Sequence, residues 1–219
     1  MTVFTGPSKK IVLLGMMTRI PVAGVIWQTA HYLVGLQRLG FEPYYVETHA
    51  RTPSMLMERE DDDSSAMAAA FIQRVMRRFG FEHQWAFHGL HQDNRCFGMS
   101  HGDLRSLYDS ALAIINLHGG TEPLPELYAT DRLVYVETDP VLLQIELQAE
   151  LKETIDFLEP HCAYFTFAEN YGAPDCRLPV QDRYPLLPTR QPVVLDFWKG
   201  RDGARQHFTT VGNWAQPWR

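Results

Sequence analysis

The residues of this chain with the chemistry to act on a small molecule fall in four short stretches. His118 stands directly before Gly119-Gly120, and a neutral imidazole at such a turn could take a proton from a sugar or alcohol hydroxyl. A solvent-facing histidine in a flexible turn fits the same residues. Glu137-Thr138-Asp139 supplies two carboxylates; Glu137 suits a ligand hydroxyl or an arginine partner, and Asp139, before Pro140, suits a catalytic role or the cap of a following helix. Glu169-Asn170 pairs an acceptor with an amide, an arrangement that holds hydroxyl-rich ligands and also builds turns. Met17-Thr18-Arg19, followed by Gly24, carries a guanidinium able to clamp a carboxylate or phosphate bidentately, or to sit as an ordinary surface arginine.

Other chemistries lack their patterns. Gly15 and Gly24 stand nine positions apart with Met16, Met17 and Pro21 between them, which is not the open glycine turn of a dinucleotide site. No G-x-S-x-G elbow occurs. His83, His88, His91, Cys96 and His101 crowd nineteen positions, and the His88-x2-His91 spacing is compatible with zinc. No second strict pair follows, and Cys162 and Cys176 lie far away. The plainer reading is a chance cluster, with no metal or other cofactor expected; a metal-dependent hydrolase using His88 and His91 is the weaker alternative.

The whole chain narrows the partners. Twenty-six acidic against twenty basic side chains give a net charge of −6 over 219 residues, and no segment forms a basic stripe, so nucleic acid is not an expected partner. Hydrophobic residues at 45% and charged residues at 21% are ordinary globular usage and allow a real core. Three cysteines without a CxxC pair fit a reducing cytoplasm. Lys9-Lys10 before the apolar residues 11–17 mimics a signal peptide, but Arg19 and Pro21 interrupt the run far short of the ~20 residues of a membrane span. No transmembrane segment is expected.

The elements that must position the four stretches alternate. An apolar run at 11–14 is followed by a helical pattern over about 24–38, with Ile26, Ala30, Leu33, Leu36 and Leu39 at three- and four-residue steps and Gly40 as its stop. Tyr44-Tyr45-Val46 then reads as a strand, completing a crossover between parallel neighbours. The acidic run 58–63 suits the positive end of a helix marked by Ala68, Phe71, Ile72, Val75, Met76 and Phe79 and closed by Gly80. A short strand around Trp85 and Phe87, a brief helix at 103–110, and strands at 111–117, 133–136 and 163–167 follow, with one amphipathic helix through Leu147, Leu151, Ile155 and Leu158. This alternation predicts an open, mostly parallel, Rossmann-like α/β sheet with helices on both faces over residues 1–170. Residues 171–219, with six prolines, read as a loop-rich, proline-rich extension with one or two short strands and an apolar run at 193–198. Ligands of such sheets bind outside the carboxyl ends of the strands, where all four stretches fall.

From residue 9 onward the chain resembles the opening of a bacterial glycosyltransferase-like protein of the GT-B type. The likeness is carried by residues 10–40, 45–49, 135–140, 165–172 and 188–196. It implies the acceptor-binding, N-terminal half of an enzyme whose second Rossmann-like domain grips a nucleotide-sugar donor and needs no bound metal. Residues 208–219 look like the passage into that domain, with Trp198, Trp214 and Trp218 expected to meet it. The partners implied are a small-molecule or glycan acceptor and a second donor-binding domain or chain; the isolated chain would be inactive or nearly so. The family's base often follows the first strand, where Met17, Thr18 and Arg19 offer none, so the catalytic roles fall to His118 or Asp139. Substrate binding falls to Met17, Thr18, Arg19, Gly24, Gly119, Glu137, Glu169 and Asn170. The alternative is a non-catalytic α/β binding protein for a nucleotide or small polar ligand.

Overall fold

Ile11, Val12, Leu13 and Leu14 leave no polar face, so the strand they form needs cover on both sides. In the computed structural model, which describes residues 9–48 and 54–199, this strand, β1 (Lys10–Leu14), lies inside an eight-stranded sheet. From it the chain runs outward through α1 (Ala23–Arg38), β2 (Glu42–Glu47), α2 (Ser64–Arg78) and β3 (Trp85–His88) to the two-residue edge strand β4 (Cys96–Phe97). α3 (His101–Ser110) brings it back to β5 (Ala113–Leu117), beside β1. It then moves outward on the other side through α4 (Pro125–Tyr128), β6 (Leu133–Glu137), α5 (Leu142–Gln148), α6 (Lys152–Leu158), β7 (Ala163–Thr166) and β8 (Leu187–Pro188). The order is β4-β3-β2-β1-β5-β6-β7-β8, and every pairing is parallel except β3 with β4. The direction of winding reverses between β1 and β5, where the loops leaving the two strands diverge.

Alternation along the strands divides the core into two layers. Leu13 and Tyr45 face α1 and α2 and pack with Leu33, Ala68, Ile72 and Met76. Val12, Leu14, Val46 and Ile114 face α3 and α4 and pack with Leu104, Leu107 and Leu127. Farther along that second face, Tyr135 and Tyr164 are covered by Leu147 of α5 and Leu158 of α6. Helices therefore cover both faces, as the pattern predicts. Among the described residues no helix is long and apolar enough to cross a membrane.

Three elements differ from their sequence reading. The amphipathic stretch through Leu147 and Leu158 is two helices, because Glu150 adopts a left-handed conformation at φ 53° and ends α5. Ala111 is the C-cap of α3, so β5 begins at Ala113. The apolar run at 193–198 contains a 3₁₀ turn, Leu195–Trp198, that lays Val194 and Phe197 against the core on the α1 side. Within the proline-rich stretch, Tyr171, Tyr184 and Leu186 are buried beside β6 and β7; residues 200–219, with Trp214 and Trp218, lie outside the described residues.

The 194–198 segment is held by His31 of α1. Its Nδ1 accepts from the Val194 amide at 3.0 Å, and its Nε2 faces the indole N–H of Trp198 at 3.2 Å. Trp198 is 58% exposed but stacks on the imidazole, with ring centroids 5.9 Å apart. A neutral imidazole has one acceptor nitrogen, so only one of these donors is satisfied at a time, and the shorter bond favours Val194. Replacing His31 by Leu leaves a buried amide unpaired and is expected to lower stability by about 1–3 kcal/mol, read from urea unfolding midpoints. An unchanged midpoint would mean that the ring does not hold the segment.

Candidate functional site

The loop after β1 is shaped by a buried carboxylate. Tyr45 and Glu47 point to the same face of β2, two residues apart. The Tyr45 hydroxyl donates to Glu47 and accepts from the Met17 amide at 3.0 Å. Glu47 also accepts from the Thr18 amide at 3.0 Å and from the Thr18 hydroxyl. A Cβ on residue 15 would lie 2.5 Å from the Tyr45 ring, so glycine is required there. Met17 and Thr18 are fully buried, and their amides donate to Tyr45 and Glu47. Arg19 is half-buried, and Gly24 is exposed in the first turn of α1. In dinucleotide-binding sheets an acidic residue near the second strand takes the ribose hydroxyl. Here the Glu47 carboxylate is turned back onto its own chain.

The ends of β5 and β6 are built differently. His118 takes a left-handed conformation at φ 64°. Its Nδ1 lies 2.7 Å from the Thr138 hydroxyl, and its Nε2 is buried with no partner. Gly119, also left-handed at φ 62°, has the rings of Tyr135 and Phe157 where a side chain would stand. The turn is pinned from behind by Asn116, whose amide donates to the Thr121 carbonyl at 2.9 Å and whose carbonyl oxygen accepts from the Thr121 amide at 3.3 Å. Asn116 also lies 3.2 Å from Nε2 of buried His161. The other ring nitrogen of His161 faces the Leu158 carbonyl at 3.2 Å, which assigns the proton to Nδ1 and leaves Nε2 to accept.

Glu137, at the end of β6, is 3% exposed. One carboxylate oxygen, Oε2, accepts from Gln144 Nε2 at 2.7 Å and from the Thr166 hydroxyl; the other, Oε1, is buried without a partner. Gln144 in turn accepts from the Val141 amide at 2.7 Å, tying the carboxylate to the start of α5. Val141 is held at φ 116°, a costly conformation for a β-branched residue. His118 and Glu137 share a cleft of about 250 Å³ with Thr138, Asp139 and Glu146, walled by Tyr135, Leu142 and Leu143. Burial pushes His118 down to about 4, which keeps the imidazole neutral at pH 7. Burial pushes Glu137 up, opposed by the Thr166 and Gln144 hydrogen bonds and reinforced by the charge of Asp139.

His118, Glu137 and Asp139 thus stand together, with Gly119 behind them against Tyr135. Asp139 is exposed at the mouth and is not the cap of α5, which begins after Val141. Glu169 and Asn170 lie one strand farther out. Glu169 pairs with Arg190 at 2.6 Å on the surface, and the Asn170 carbonyl closes a turn by accepting from the Ala173 amide at 2.9 Å. Sequence reasoning gave Thr138 no role within its stretch and missed Gln144 and Thr166. Gln144 carried a signal, since it falls three residues before buried Leu147 on the inward stripe of α5, where an amide needs a partner.

Two wider grooves, of about 450 and 620 Å³, lie beside α2 and between α6 and residues 180–184. Neither is lined by a buried polar atom lacking a partner, so the smaller cleft is the candidate site. In the histidine-rich stretch, His88 is buried between the Thr48 hydroxyl at 3.4 Å and Asn94 Oδ1 at 2.8 Å, and His91 is exposed. Among the described residues no three His, Cys, Asp or Glu side chains are arranged to hold a metal.

No family model matches the chain, and no curated protein is detectably similar to it. Function has to be read from the residues themselves.

Proposed function

We propose that the cleft at the ends of β5 and β6 binds the hydroxyl-bearing acceptor of a sugar transfer. In this reading the chain is the acceptor-binding half of a GT-B type glycosyltransferase, and the nucleotide-sugar donor is held by a second domain or chain. The observation that carries it is the buried, unpartnered Nε2 of His118 in the cleft it shares with Glu137. With the Nδ1 proton donated to Thr138, Nε2 is left to accept the acceptor's hydroxyl proton as its oxygen bonds the sugar carbon and the bond from that carbon to the diphosphate breaks. Glu137 and Asp139 orient the acceptor and favour the imidazolium that forms.

A second reading, binding of a small polar ligand without catalysis, is favoured by one observation. Burial holds His118 at about 4, well below the near-neutral value at which a general base is most effective. The test supplies the chain together with its donor-binding domain or chain, labelled nucleotide sugars and a panel of monosaccharide acceptors. His118→Gln is expected to lower transfer by about 100-fold with acceptor affinity within about threefold. Unchanged transfer would remove His118 as the base, and saturable acceptor binding with no transfer would favour the second reading.

A further inference from the structure

The charge of the cleft narrows the ligand. Glu137, Asp139 and Glu146 bring three carboxylates to about 250 Å³, and among the described residues no lysine or arginine lines it. Arg and Lys are the groups that recognise phosphate, so this lining disfavours a phosphorylated ligand. Glu137 adds an independent sign. It is 97% buried by its 3% exposure, two donors are spent on one of its oxygens, and the other meets none. A buried carboxylate oxygen with no donor is expensive, and a ligand that brings a charged donor relieves both the missing hydrogen bond and the repulsion from Asp139. A metal ion fits poorly, since no three ligating side chains converge among the described residues. The volume lies below the about 300–1,000 Å³ of drug-sized ligand sites, and Tyr135, Leu142 and Leu143 offer apolar wall to a small carbon skeleton.

We infer that the cleft takes a ligand bearing a primary amine, an amino sugar in the setting of the proposed transfer, with its ammonium group on Glu137 Oε1. The inference rests on assigning the ligand site to this cleft. The ammonium's remaining N–H groups can point toward Asp139 and the mouth, which leaves the His118 Nε2 to a ring hydroxyl.

The test titrates the full chain by calorimetry at pH 7 and low salt with glucosamine, glucose, glucose 6-phosphate and putrescine. Glucosamine should bind at least tenfold more tightly than glucose, and glucose 6-phosphate more weakly than either. Glu137→Gln should bring glucosamine within about twofold of glucose. Asp139→Asn, an exposed change that leaves the core alone, should reduce the preference about threefold. Equal affinity for glucose and glucosamine would overturn the amine and leave the hydroxyl-ligand reading standing. Binding of putrescine without either sugar would keep the amine and remove the sugar acceptor. A preference that survives both substitutions, or no binding by either amine, would overturn the inference.

Discussion

Replacing Glu47 by Ala is expected to cost about 3–5 kcal/mol of stability. The carboxylate is fully buried and is the acceptor for the Thr18 amide, the Thr18 hydroxyl and the Tyr45 hydroxyl. Removing it leaves several donors facing a small cavity, and each orphaned buried group costs about 1–3 kcal/mol, incompletely additive. Glu47→Gln should cost less, since its carbonyl oxygen still accepts while its amide opposes a donor. Urea unfolding reads the size of the effect, and hydrogen exchange at the Met17 and Thr18 amides reads its place. A loss below about 1 kcal/mol, or unchanged exchange at both amides, would show that the carboxylate does not anchor the β1 loop.

That loop also shows where the sequence stops being informative. The strands were legible because a buried parallel strand must be apolar throughout, as β1 is, whereas the order β4-β3-β2-β1-β5-β6-β7-β8 and the reversal between β1 and β5 came from the structure. Met17 and Thr18 fell at a strand end, where ligand-binding residues belong, yet the position of a loop does not say which way its side chains turn. The alternation of Tyr45 and Glu47 carried that information, but an acidic residue closing a strand reads as a solvent-facing end. The break at Glu150 was hidden for a related reason. Leu147, Leu151, Ile155 and Leu158 keep a helical spacing across two helices that pack on the same sheet face, and a non-glycine residue at positive φ has no reliable sequence mark. Of residues 193–198, Val194 is buried and Phe197 partly so while Val193, Leu195 and Trp198 stay exposed, and a short apolar run does not distinguish a strand from a tight turn.

The site divides along the same line. His118, Glu137 and Asp139 could be picked from their stretches by residue type, and neighbouring strands bring them to one cleft. Glu169 and Asn170 satisfied the same rule and landed a strand away, since the rule names an edge of the sheet and not a pair of strands. What no pattern supplied is the state of individual atoms. Gln144 and Thr166 occupy one oxygen of Glu137 and leave the other bare, and that difference, created by packing α5 and β7 around β6, sets the proposed site apart from a closed hydrogen-bond network.

Acidification is expected to destabilise the protein before most of its surface carboxylates protonate. His118 and His161 are each pushed from 6.5 down to about 4 by burial, and burial lowers His31 as well. Their folded pKa values lie below the unfolded ones, so between pH 6.5 and 4 the unfolded chain binds more protons than the folded one. The stability these rings contribute is therefore intact above about pH 6.5 and is lost as the pH falls toward 4. At about 1.4 kcal/mol per pH unit and proton, the two rings set a ceiling of about 3 kcal/mol each, a large share of the about 5–15 kcal/mol that holds a typical domain. Glu137 works the other way: its raised pKa means that the folded state takes up its proton more readily, returning some stability as the pH falls. Asp63, Asp93, Asp196 and Glu159 are lowered instead, so their contribution is lost only at more acid pH. Urea unfolding at intervals from pH 7 to 4.5 should show a slope approaching two protons near pH 5, and a flat profile would contradict the burial of both rings. His161→Gln should remove about one proton from that slope while His118 keeps its place in the cleft, separating the ring that braces the turn from the ring that lines the proposed site.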